Sequence, residues 1–196
     1  GSYGMASFQL GGAYAWNNIH ASRRVTFGTL DQALSSDYAA RTFQAFGEVA
    51  LKGEIGGVML QPFAGLAHVT LLDAEVDEQG GSAALQGGKG NDRITFGTLG
   101  IRTRASLATG DVALHFAGSA TLRHAFGDRV PSIDLGFANG QAFSIVGSAI
   151  ERDSIGVDAG LETDLGHNTS FSVAYTGNYG DRTTDHGGRA SFNWRF

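Results

Sequence analysis

The fold is decided by the stretch His186-Gly187-Gly188-Arg189-Ala190-Ser191-Phe192-Asn193-Trp194-Arg195-Phe196 at the end of the chain. From Ser191 onward, polar and aromatic side chains alternate one by one. A period of two residues is the signature of a β-strand, because successive side chains of a strand point to opposite faces. Residues 170–179 have the same period, with Phe171, Val173 and Tyr175 on one face. The sequence therefore predicts two-sided β-strands at its C-terminal end.

The same alternation recurs along most of the chain. It is found in residues 8–17, 43–52, 99–107, 112–123 and 155–165. Several runs extend to about 15 residues, whereas a soluble strand is typically about 5–6 residues long and a tilted membrane strand needs about 9–11. The length of these runs favours strands that cross a membrane.

The segments between the strands alternate between short and long. The short ones are residues 53–57, 108–111 and 166–168, and the longer ones are 24–37, 73–91, 127–148 and, more modestly, 180–185. Outer-membrane barrels show this alternation, with tight turns on the periplasmic side and longer loops outside. With these connections, we count eight strands.

Two segments fit the pattern less simply. Phe143–Val146 is interpreted either as part of an extracellular excursion or as the upper end of the strand that finishes at Leu165. Within Val58–Leu72 the alternation changes phase near Ala67, which predicts a β-bulge.

The two faces of the predicted strands differ in polarity. One face is rich in Phe, Leu, Val, Ile, Tyr and Trp, and the other carries charges of both signs at mid-strand positions. These charged residues are Glu48, Lys52, Arg102, Arg104, Arg123, Asp158, Glu162 and Arg195. Long strands, mid-strand charges and aromatic residues near strand ends are typical of a membrane barrel with a polar interior. We therefore expect an all-β, antiparallel transmembrane β-barrel in the outer membrane, with lipid outside and these eight residues lining the lumen.

Composition excludes several other classes of protein. Hydrophobic residues make up 42% of the 196 residues and charged residues 17%, yet no run of about 18 apolar residues could form a transmembrane helix. A net charge of −5 argues against nucleic acid as a partner. The sequence lacks cysteine and the nucleophile-elbow, zinc-protease and phosphate-loop motifs. We expect no catalytic, cofactor or metal site, and no enzymatic activity of these residues.

Several short motifs, taken in order, resemble the C-terminal translocator domain of bacterial autotransporters (type V secretion). The resemblance covers essentially the whole chain, and its motifs are Gln61–Ala67, Arg123–Asp128, Phe143–Gly147, Glu151–Asp153, Ala174–Gly177, Asp185–Gly188 and Phe192–Phe196. It implies a twelve-stranded barrel in a Gram-negative bacterium. Residues 1–196 would then hold the last eight strands of a translocator domain that is incomplete at its N-terminal side.

The resemblance also implies partners and a role. An N-terminal passenger domain would be anchored and exported to the cell surface, and a linker helix upstream would thread the lumen. The barrel assembly machinery would read an assembly signal formed by Phe192, Trp194 and Phe196. The charges of the lumen would either contact that helix or neutralise one another.

Two other functions remain compatible with the residues alone. An eight-stranded barrel can close by itself, so a self-contained barrel with a structural or adhesive role is one alternative. A soluble β-sandwich that binds a ligand is the other. The sequence upstream of Gly1 separates the first alternative from the translocator, and detergent dependence separates the second.

Overall fold

The structure is a computed structural model that describes residues 1–72, 75–88, 91–109, 112–137, 140–166 and 168–194. In this part of the chain the secondary structure is made of β-strands, and no helix is long and apolar enough to cross a membrane. The strands are β1 (Ser2–Tyr3), β2 (Ala6–Phe27), β3 (Leu30–Leu51), β4 (Gly53–Ile55), β5 (Val58–Leu72), β6 (Val76–Asp77), β7 (Leu85–Gly87), β8 (Asn91–Thr109), β9 (Val112–Gly127), β10 (Ser132–Phe137), β11 (Ala142–Val146), β12 (Asp153–Gly166), β13 (Thr169–Gly180) and β14 (Thr184–Trp194).

The long strands form one antiparallel sheet. Its order is β1-β2-β3-β5-β8-β9-β12-β13-β14, and the short strand β4 also pairs with β5, next to the end of β3. Eight of these strands are long, from 11 residues in β14 to 22 residues in β2 and β3. The sheet is curled into a half-barrel. The all-β, antiparallel barrel architecture predicted from the sequence is thus confirmed.

The pairing register separates an apolar face of the sheet from a polar one. Residues that pair across neighbouring strands share a face. One row on the apolar face crosses seven strands through Phe8, Val49, Ala64, Leu99, Leu122, Ile155 and Tyr179. The adjacent row on the polar face holds Gln9, Glu48, Gly65, Thr98, Arg123, Ser154 and Gly180.

Large apolar side chains lie mainly on the outside of the sheet. Leu10 is 82% exposed, Leu99 61% and Leu122 59%. A soluble sandwich would bury such a face against a second sheet, but the described part of the chain supplies no sheet that covers it. Exposure of this kind suits a surface that meets lipid rather than water.

Glycines on the polar face make room for aromatic rings. A Cβ atom at Gly11 would lie 2.4 Å from the ring of Phe46, and one at Gly100 would lie 2.5 Å from the ring of Phe63. Each ring therefore covers a bare backbone position on the neighbouring strand, an arrangement that stabilises curved sheets. It also explains why Phe46 lies among polar residues on its strand.

The two sides of the curled sheet have unpaired edges. The outer edge of β2 pairs only with the chain start, where β1 lies opposite Ala6 and Ser7 and Gly1 exchanges hydrogen bonds with Phe8. The described part of β14 pairs with β13 alone. No pairing between β14 and β2 closes the sheet within the described residues.

The prediction of a long loop at residues 24–37 is wrong. There β2 and β3 continue upward and are joined by a two-residue turn at Gly28 and Thr29, with Gly28 in the left-handed region at φ 59°. Glycine adopts this conformation without a steric penalty, so a tight hairpin forms. The hairpin extends beyond the end of β5. Over this extension neither face continues the rows of apolar side chains found lower on the sheet, so apolar and polar residues no longer alternate in the sequence.

The other two long connections form a second, smaller sheet. Its order is β11-β10-β7-β6. Phe143–Val146 therefore belongs to the excursion between β9 and β12, in agreement with the first of the two interpretations of this segment. It does not extend the strand that runs to Leu165, because β12 begins only at Asp153.

The bulge predicted near Ala67 is also wrong. The register of β5 with β3 and with β8 is continuous through this residue. Above Ala67 the apolar face carries His68 and Thr70, while the polar face carries Val69 and Leu71. This local exchange of residue types imitates a phase change without any change in the backbone.

Candidate functional site: the polar face and its cap

The register places six of the predicted lumen residues on the polar face of the sheet. They are Glu48, Arg102, Arg104, Arg123, Asp158 and Glu162. Lys52 lies between β3 and β4, where its backbone N–H donates to the carbonyl of Met5 at 2.8 Å. Arg195 and Phe196 are outside the described residues. The pattern of the sequence therefore brings these six charges together on one surface.

Glu48 and Arg102 form a bidentate ion pair on this face. Two guanidinium nitrogens of Arg102 donate to the two carboxylate oxygens of Glu48 at 2.6 and 2.7 Å. The guanidinium carbon also lies 3.7 Å from the centre of the Phe63 ring. A bidentate pair stacked on an aromatic ring holds the arginine in one orientation. These contacts link β3 and β8 across the strand between them.

Asp158 is held by hydroxyl groups rather than by a cation. Ser119 donates to one of its oxygens at 2.8 Å and Thr176 to the other at 2.7 Å. Nearby, the Nε atom of Arg123 donates to the hydroxyl of Ser154 at 3.3 Å. Neutral donors leave the negative charge of this carboxylate uncompensated, so Asp158 is a charged, oriented group on the polar face.

Arg104 and Glu162 have no hydrogen-bond or ion-pair partner among the described residues. Arg104 borders a cleft of about 640 Å³ on the polar face, which is also lined by Arg102, Asp158, Thr176 and Arg189. Sequence reasoning missed Arg189, although it has the same strand parity as Ser191 and Asn193. Three arginines and one carboxylate, that of Asp158, therefore line the cleft. Arg102 is paired with Glu48, whereas Arg104 and Arg189 have no partner among the described residues.

Two residues of the predicted assembly signal, Phe192 and Trp194, lie on the apolar face, and the third, Phe196, is outside the described residues. Phe192 pairs with Phe171 and Trp194 with Thr169 on β13, and their side chains are 66% and 65% exposed. Both aromatic side chains therefore lie near the end of the last strand, at the end of the sheet opposite the hairpin turn of Gly28 and Thr29.

The excursion 75–88 packs against the β2–β3 hairpin at the opposite end of the sheet. Arg23, on the polar-face side of the hairpin, donates to both carboxylate oxygens of Glu78 at 2.7 and 2.6 Å and to the carbonyl of Ala83 at 2.7 Å. The hydrogen bonds from Arg23 hold the pKa of Glu78 below its ordinary value. Leu34, on the same side, is only 2% exposed. We call residues 75–88 the cap.

Further contacts fix the cap to the hairpin. Ser35 and Gln79 exchange two backbone hydrogen bonds of 3.0 and 2.8 Å, and the side chain of Gln32 bonds to Ser82 and to the N–H of Ala83. Because Leu34 has the same strand parity as Glu48, the cap lies over the polar face. The described residues contain no group of three or more histidine or acidic side chains placed to hold a metal ion.

Known proteins are similar in sequence to this chain over most of its length. The family model described as "Autotransporter beta-domain" matches residues 3–176. Two proteins of Serratia marcescens named "Extracellular serine protease" are 32% and 31% identical over 195 residues, or 99% of this chain. The chain spans 19% of the length of each relative.

The matched region of these relatives corresponds to the β-domain and not to their protease part. The curled sheet, with its apolar exterior and charged polar face, is the architecture expected of such a domain in the outer membrane. The chain belongs to the autotransporter beta-domain family, and it is an outer-membrane β-barrel domain with a translocator role.

Proposed function

We propose that residues 1–196 are part of a longer protein whose N-terminal passenger this domain anchors in the outer membrane and helps to export. The observation that carries the proposal is the curled sheet with lipid-compatible side chains outside and charged side chains on the polar face. With the β2–β3 hairpin and the cap on the extracellular side, the turn at Gly56 and Gly57 is periplasmic.

About four further strands upstream would complete the barrel to twelve, between β1 and β14. Within the described residues, the outer edge of β2 beyond Phe8 and the outer edge of β14 have no partner strand, which supports this proposal. Closing the barrel with the present strands alone would require β14 to pair with the outer edge of β2. Part of that edge is occupied by β1, at Ala6 and Ser7. This arrangement disfavours the self-contained eight-stranded barrel.

The polar face would line the lumen and contact a linker helix. Glu48, Lys52, Arg102, Arg104, Arg123, Asp158, Glu162 and Arg195 are the proposed lining residues. Within this set, Glu48 neutralises Arg102, whereas Arg104 has no described partner and remains available for a passing segment. We therefore propose that Arg102 belongs to the charges that neutralise one another and that Arg104 contacts the linker helix.

The passenger is proposed to be an extracellular serine protease. The support is the name of the two relatives, whose similarity extends over the β-domain. The domain itself is proposed to have no enzymatic activity. Its own partners would be the lipid around the apolar face and the barrel assembly machinery, which would recognise Phe192, Trp194 and Phe196.

The test compares the full-length protein with a version that lacks residues 1–196, both expressed in a Gram-negative host. Protease added to intact cells should reach the passenger only when the domain is present, and without it the passenger should stay in the periplasm. Surface exposure of the passenger without residues 1–196 would contradict the proposal. Fractionation with an unrelated periplasmic protein as marker controls for lysis.

A further inference from the structure

An aromatic belt marks the extracellular boundary of the apolar face. Tyr14 and Trp16 lie on β2 with ring centres 6.2 Å apart, and Phe43 lies opposite Tyr14 on β3. Above Trp16, the same face of the hairpin carries polar residues, beginning with Asn18 and His20. Aromatic side chains of this kind lie at the level where the hydrocarbon of a bilayer gives way to headgroups.

Two arginines lie at this level on the same outward face. Arg41 pairs with Trp16 on one side and with Leu72 on the other, and Arg93 pairs with Thr70, which itself lies opposite Phe43. Both arginines are exposed. Their strands, β3 and β8, are separated only by β5, so their backbones are about 10 Å apart across the sheet.

The charges of these two arginines are not neutralised within the described part of the chain. Within the described residues, neither guanidinium has a hydrogen-bond or ion-pair partner. Some other basic side chains of this end do have acidic partners: Arg24 pairs with Asp31, and the rings of His20 and His124 lie beside Asp37 and Asp153. Asp128 contacts Arg93 only through its backbone N–H, at 3.2 Å from the carbonyl of that residue.

An unpaired guanidinium beside lipid is costly unless an anion satisfies it. The anions available at this depth are lipid phosphates, and a guanidinium binds a phosphate through two parallel hydrogen bonds. Two flexible side chains on either side of β5 can reach phosphates that are several ångströms apart, or one phosphate between them.

We propose that Arg41 and Arg93 form a binding site for the phosphate groups of an anionic lipid in the outer leaflet. The site rests on the outer-membrane location of the domain but not on its role in export. A lipid with two phosphates on one headgroup fits the separation of the two arginines better than a lipid with one.

The test uses the full-length protein in vesicles of phosphatidylcholine that contain a trace of fluorescent lipid A with two phosphates. Energy transfer from the protein's tryptophans or an attached dye measures how strongly the lipid is enriched around it. Replacing both residues (R41Q/R93Q) should lower this enrichment about 10- to 30-fold, because each arginine near an anionic surface contributes about a factor of 5. Lipid A with one phosphate should be enriched less by the unaltered protein.

The control variant R24Q/R182Q removes the same charge from the extracellular end but away from the aromatic belt, and it should retain the enrichment. An equal loss in both variants would overturn the proposal, as would equal enrichment of phosphatidylcholine and diphosphorylated lipid. Soluble inorganic diphosphate should not displace the lipid, and complete displacement would overturn the assignment to a lipid. Passenger export, measured in parallel, reports separately on the proposed function.

Discussion

The carboxylate of Glu48 on β3 receives two hydrogen bonds, of 2.6 and 2.7 Å, from Arg102 on β8. Residues 54 positions apart in the sequence are thus tied together on the polar face, above the ring of Phe63. Because β5 lies between the two strands, the pair spans three strands of the sheet.

Replacing Glu48 by Gln should lower the stability of the full-length barrel modestly, by about 1 kcal/mol or less. The side chains are 39% and 21% exposed, so water screens part of the attraction. The temperature at which the folded band is lost on a gel measures the effect. Glu162→Gln is the matched control, since Glu162 has no described partner, and it should leave that temperature unchanged. Equal temperatures for the unaltered protein and E48Q would show that the pair contributes nothing.

Replacing Gly11 by Ala should destabilise the barrel by about 1–3 kcal/mol, because the new methyl group would lie 2.4 Å from the Phe46 ring. All three nearest atoms belong to that ring, so the second change Phe46→Leu should restore much of the stability. Gly187→Ala, where the nearest atom is 3.9 Å away, is the control on the same face. Failure of the second change to rescue G11A would show that the ring is not the cause.

Acid should loosen the cap through Glu78. Its pKa is lowered in the folded state, first by the hydrogen bonds from Arg23, so its contribution to stability is present above the ordinary value of 4.5. That contribution is lost as the pH falls below 4.5 and through the lowered pKa. The protection of residues 75–88, which is their exchange rate relative to the intrinsic rate at the same pH, should therefore decrease in this range. Glu78→Gln should show fast exchange already at neutral pH, with little further change in acid.

The control for the cap is Asp77→Asn. Within the described residues, Asp77 accepts side-chain hydrogen bonds from the neutral amides of Gln79 and Gln86 and not from an arginine. The exchange profile of the D77N variant should therefore retain the acid transition of the unaltered protein. An acid transition that persists undiminished in E78Q would exclude Glu78 as its origin.

Reversing Arg104 and Arg189 to Glu should reduce passenger display or alter the conductance of the pore, because both border the cleft on the polar face. Arg102 is left intact in this variant because it is already neutralised by Glu48. Surface labelling of the passenger and single-channel recording measure the two effects. Normal display and conductance, with normal insertion of the barrel, would argue against a luminal role for these arginines.

Residues 1–196 expressed alone should not form a heat-resistant monomer. The outer edges of β2 and β14 leave backbone groups unpaired, which is costly in lipid and promotes aggregation in water. Gel mobility before and after heating, in detergent, measures this. A stable, heat-modifiable monomer from this chain would favour the self-contained barrel.

The alternation of the sequence by itself determined most of the barrel. The residues that face outward and those that share the polar face with Glu48 follow from strand parity alone, because a strand has no freedom to place neighbours on the same side. In Val58–Leu72 parity misled, since Val69 and Leu71 lie on the polar face near its extracellular end.

The tertiary structure alone decided what happens beyond the apolar band. Where both faces of a hairpin leave the lipid, the sequence no longer alternates, so the extension of β2 and β3 to the turn at Gly28 could not be read from it. The cap depends on contacts such as Arg23 with Glu78, 55 positions apart. Pairing between distant polar residues has no period in the sequence, and only the folded chain brings such partners together.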